Sequence, residues 1–149
     1  MQGENTVSKF LFKMKCFFFL ILLAFASCTT PSPTNKDVIG KWKGEKGAEI
    51  SFKEDGTFTG KSIPAEYILL PPEDYKNIQF SGRGDWELRS GPSNWEVYIE
   101  FRETSDKRCL SAFPLLLWGE KGILQNKPPW YLFLWKEEEG GERFALHRE

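Results

Sequence analysis

The chain has 149 residues, with 20 Lys and Arg against 21 Asp and Glu, one His and three Cys. That length suits a single domain around one core. The near-neutral charge without a basic stripe argues against a nucleic-acid partner, and one His beside so few thiols is too small a donor set for a zinc site. No Gly-rich loop leads from a strand into a helix, so no nucleotide cofactor is expected.

In chain order, the first feature is Cys16 to Ala26, CFFFLILLAFA, preceded by Lys9, Lys13 and Lys15 and followed by Ser27 and Cys28. A bilayer span needs about 20 apolar residues and this run has roughly half that, so it reads as the apolar region of a secretory signal. Met14-Lys15 and the run behind it would make a compact signal by themselves. The stretch resembles a bacterial lipoprotein signal, which ends in a Cys that is acylated and becomes the new N-terminus. Ala26 and Ser27 match the small residues expected before that Cys. The resemblance implies that residues 1–27 are a signal peptide and that Cys28 carries fatty acyl chains such as palmitate. The exported product would then be held at a membrane of the cell envelope, either the outer membrane or the cell surface. Residues 28–37, CTTPSPTNKD, read as a linker, and residues 38–149 as the domain. Loss of residues 1–27 removes three Lys and one Glu, giving a formal charge of −3. With Cys16 discarded and Cys28 acylated, Cys109 is left without a disulfide partner and reads as a small buried hydrophobe.

From residue 38 onward, short alternating runs separated by turn residues predict an all-β domain. VIGKWKGE and AEISFK flank a first turn, and AEISFK and TFTGK flank Asp55-Gly56, where Gly accepts the positive φ of a tight hairpin. SIPAEYILLPPEDYKN is the one non-strand insertion, with Ser62 as a cap and Pro64 opening a short helix. FSGRGDWELRS places Phe80, Gly82, Gly84, Trp86 and Leu88 on one face, the glycines serving a bend. WEVYIEFRE, its hairpin partner, directs Trp95, Val97, Ile99 and Phe101 inward. The C-terminal runs RCLSAFPLLLW and WYLFLW are apolar on both faces. In the latter, Trp130, Leu132 and Leu134 face one side and Tyr131, Phe133 and Trp135 the other. Closing these strands into an antiparallel up-and-down β-barrel of about eight strands, with one short helical insertion, leaves no free sheet edge.

Catalytic chemistry is not expected. His147 lies near the end of the chain with no nucleophile pattern, and carboxylates such as Asp85 and Glu100 fall on solvent-facing strand positions. The domain reads as a non-enzymatic binding module without metal or cofactor.

IGKWKGEKGAEISFKEDGTFTG resembles the first three strands of lipocalin-like small β-barrel lipoproteins, through Gly40-Lys41-Trp42 and the turn from Asp55 to Phe58. SGRGDWEL and RFALHR resemble parts of uncharacterised bacterial secreted proteins of the same layout. The resemblance implies that Trp42 closes the barrel floor and that Arg148 or Arg143 packs across it. It also implies a small apolar ligand within the barrel, against Trp42, Phe58, Trp86 and Trp95. The alternative is a protein partner, such as a secreted enzyme or toxin that the lipoprotein inhibits, seated on Tyr131, Phe133 and Trp135.

Overall fold

The computed structural model describes residues 32–67, 77–91, 94–121, 126–135 and 143–149. Eight antiparallel strands close into an up-and-down barrel in sequence order. They are β1 (Gly40–Gly44), β2 (Glu49–Phe52), β3 (Thr57–Pro64), β4 (Gln79–Ser90), β5 (Trp95–Thr104), β6 (Ala112–Lys121), β7 (Asn126–Trp135) and β8 (Arg143–Arg148). The last strand pairs with the first, Trp42 opposite Arg148, so no strand edge is left to template aggregation.

Alternation sets the inside and outside of each strand. On β4, Phe80, Gly84 and Trp86 point inward between exposed Ser81, Arg83 and Glu87; on β5, Val97, Ile99 and Phe101 do the same. An eight-stranded barrel is just wide enough for side chains to fill, and here they do. Phe101 meets Phe58 edge-on at 4.9 Å and Phe80 at 5.2 Å, and Phe52 meets Trp86 at 5.4 Å.

The β2–β3 hairpin turns at Asp55-Gly56 as its sequence predicts. Gly56 has φ 78, and the Asp55 carboxylate accepts from both Thr57 N (2.9 Å) and Thr57 Oγ1 (2.6 Å). Phe52 and Phe58, paired across the hairpin, both enter the core. Gly56→Val forces a β-branched residue to positive φ and is expected to cost about 1 to 3 kcal/mol. The denaturation midpoint reads this directly, and an unchanged midpoint would place the turn's strain elsewhere.

The glycines of β4 serve close approach. The register skips Arg102, since Arg83 pairs with Glu103 and Gly84 with Phe101, which makes a β-bulge that bends the sheet. A Cβ on Gly84 would lie 1.8 Å from the Glu100 carbonyl oxygen.

Two local expectations are corrected. Ser62 does not cap a helix: it lies within β3 at φ 49, where the β3–β4 register shifts between Gly60 and Ile63. The helical part of the insertion is a 3-10 turn over Ala65–Tyr67, and residues 68–76 lie outside the described residues. Ahead of β1, a four-residue helix α1 (Asn35–Val38) packs onto one barrel end. The Asp37 carboxylate accepts from Thr34 N (2.7 Å) and Thr34 Oγ1 (2.8 Å), which fixes its first turn. Pro33 and Val38 are buried, Val38 completely.

Candidate functional site

The first candidate is the interior. Trp42 has no exposed surface, and its indole Nε1 donates to the Val38 carbonyl at 2.7 Å, so β1 and α1 are locked together. Arg148, opposite Trp42, donates to the carbonyls of Ile39 (2.7 Å) and Asp37 (3.4 Å). Arg148 therefore lies across this closed end, hereafter the floor, whereas Arg143 sits at the other end of β8, with its guanidinium 5.9 Å from the Phe133 ring centre. Phe58 is fully buried, Trp86 is buried with Nε1 donating to the Lys53 carbonyl at 3.0 Å, and Trp95 is half-buried against the same core. None of these four aromatics lines the apolar pocket that the described residues form at the other end of the barrel. That partly open pocket measures about 10 Å3 and lies opposite the floor, between Ile50, Ile63, Tyr67, Leu115, Leu134 and Phe144. It is the size of a single water, and its walls are apolar. Tyr67 borders it, stacking on Phe144 with ring centres 5.1 Å apart.

The second candidate is the outer wall, which is divided by chemistry. Over β1–β4 it is charged and hydroxylated. Lys41 meets Glu49 at 3.2 Å, Lys43 meets Glu149 at 2.6 Å, and Arg83 forms a two-pronged pair with Glu103 at 2.8 and 2.9 Å. That fork holds the Glu103 carboxyl below its ordinary pKa, mainly through the hydrogen bond. An open cleft of about 300 Å3 at the bulge is walled by Lys53, Arg83, Asp85, Arg102 and Glu103. The two arginines there already engage the two acids, Arg102 pairing with Asp85.

On β6 and β7 the outer wall is apolar, flanked by Glu96, Glu100 and Arg102 on β5 and by Arg143 and His147 on β8. Tyr98 stands opposite Pro114, Leu116 opposite Phe133, and Trp118 opposite Tyr131. Trp118 meets Phe133 edge-on at 5.9 Å, and Tyr131 lies 6.3 Å from Phe133. Phe133 is 3% exposed yet stands apart from the interior cluster, so it is the covered centre of this face. Pro114, Leu116, Trp118 and Tyr131 are half-buried around it. The sequence places Tyr131 and Phe133 on this side of β7, as observed; Trp135 ends β7 opposite Arg143, and its side chain lies outside the described residues. Pro114, Leu116 and Trp118 are additional members. Their signal was the doubly apolar run RCLSAFPLLLW, whose pattern does not tell inside from outside.

Cys28 also lies outside the described residues. Cys109 is buried, and burial pushes its thiol pKa up with a further push from Asp106, which suits a packing role. Comparison with protein-family models, with curated proteins and with solved structures found no match to this chain.

Proposed function

We propose that this protein is a lipid-anchored lipoprotein of the cell envelope whose barrel binds a protein partner, such as a secreted enzyme or toxin that it inhibits, on the outer wall of β6 and β7. The division of the outer wall carries this reading: charged residues line most of it, and β6 and β7 present Pro114, Leu116, Trp118 and Tyr131 around Phe133. Contiguous apolar surface rimmed by polar residues is what partner sites look like, with aromatics as anchors. The test is affinity capture from secreted proteins of the producing cell, comparing the native protein with Trp118→Ala/Tyr131→Ala. Both positions face outward, so the variant should fold and lose the captured species. Equal capture by both would move the interface off this wall.

A second reading, a small apolar ligand inside the barrel, is favoured by the apolar pocket beneath Tyr67. Such a ligand would have to swing Tyr67 off Phe144 and displace core side chains. Tyr67→Ala should then admit a fluorescent fatty-acid analogue that the native chain refuses.

The anchor has its own test. Cys28→Ser is expected to move the protein from the membrane fraction to the soluble one. A variant that stays with the membrane would contradict lipidation at this residue.

A further inference from the structure

The topology puts the chain's N-terminal side and its turns at definite ends. At the floor lie α1, the Asp55-Gly56 turn, the turn between β4 and β5, and the C-terminus, where Glu149 N donates to the Lys41 carbonyl at 2.9 Å. At the opposite end lie the Glu45–Gly47 turn, the Ala65–Tyr67 turn over the pocket, and the Lys107–Cys109 turn followed by Leu110, which is 54% exposed. Leu110 is the one large apolar side chain that is exposed among the described residues.

We infer that the floor faces a phospholipid bilayer at headgroup level and that the opposite end points away from it. This rests on the proposed acylation of Cys28. Four Cα steps separate Cys28 from Ser32, which bounds the tether at about 15 Å by covalent geometry alone. Strands such as the ten-residue β5, tilted by about 40°, make the barrel about 25 Å tall. A lipid on Cys28 therefore holds the floor within about 15 Å of the membrane, whereas the far end has no such tie. Pro33 and Val38 are buried and Arg148 clasps the carbonyls on either side of Val38, so the chain leaves from the floor itself. Among the described residues the floor exposes charges of both signs, Lys36, Lys53 and Arg89 with Glu54, Asp55 and Glu149. The ammonium and guanidinium groups suit phosphate oxygens, and among the described residues no large apolar side chain is exposed there.

The orientation is tested on the full lipidated chain in phosphatidylcholine–phosphatidylglycerol vesicles carrying a headgroup-attached quencher. Glu54→Cys, in the floor turn, and Glu45→Cys, in the first turn at the far end, are exposed positions of equal charge. Each is labelled with the same fluorophore, the native Cys109 being buried. The label at 54 should lose most of its emission on vesicle addition, and the label at 45 should keep its own. Equal quenching, as from a barrel lying on its apolar side, or stronger quenching at 45, would overturn the orientation. If labelled protein does not float with the vesicles at all, the acylation reading fails and the orientation falls with it.

Discussion

Trp42→Ala should destabilise the fold by about 3 to 5 kcal/mol, the usual range for truncating a buried aromatic to alanine. Trp42 is completely buried, so truncation leaves a void between β1, β8 and α1, and the Val38 carbonyl loses its donor at 2.7 Å. Equilibrium denaturant unfolding measures the loss. Against a typical total of about 5 to 15 kcal/mol, such a change leaves the domain marginal or unfolded at growth temperature. Trp42→Phe should recover the packing in part but not the hydrogen bond, and so fall between the two. A near-native midpoint for Trp42→Ala would mean that the floor is not held by this residue.

The second large effect is expected at Gly84→Ala. The added methyl would sit 1.8 Å from the Glu100 carbonyl oxygen and 2.8 Å from its carbon, both backbone atoms that cannot rotate away. The β4–β5 ladder has to shift, and overpacking of this kind costs about 3 kcal/mol or more when backbone must move. Gly82→Ala should be milder: its tightest contact is 2.5 Å to the Glu103 carbonyl oxygen, and its next two are to the Phe101 ring. Thermal midpoints in the order native, Gly82→Ala, Gly84→Ala check the argument. A Gly84→Ala protein as stable as native would place the bend elsewhere in the barrel.

The strands, their order and most inward faces were legible in the sequence because one-sided burial writes a period of two. Trp86 between Asp85 and Glu87, and Val97 between Glu96 and Tyr98, leave no doubt about which side is core. The hairpin at Gly56 was legible for a different reason, that few residues tolerate its φ of 78. Other features carried no such mark. PSPTNKD reads as linker, yet Thr34 to Val38 forms a capped helix because Val38 finds the core and Arg148 reaches its flanking carbonyls. Ser62 looks like a cap by composition and is a strand irregularity at φ 49, set by the register change against β4. Inward aromatics were legible as inward, but lining a cavity and filling one demand the same residues. The arrangement of neighbours decides between them, and here Trp86 packs against Phe52 rather than facing empty space. The apolar outer wall was visible only on β7, where alternation separated Tyr131 and Phe133 from Leu132 and Leu134. On β6 the run of three leucines hid which of them faces out, and the register opposite β7 assigns Leu116 and Trp118 to the wall.

The central claim is that the described interior is packed and the protein works from its outside. Titration of a fluorescent fatty-acid analogue into the purified protein, followed by probe emission and by energy transfer from the tryptophans, tests it most directly. The account predicts no saturable binding, because the interior pocket among the described residues, about 10 Å3, holds no more than a water. Saturable one-to-one binding that Leu115→Trp, which would fill the pocket, abolishes without loss of fold would contradict it and return the function to the interior.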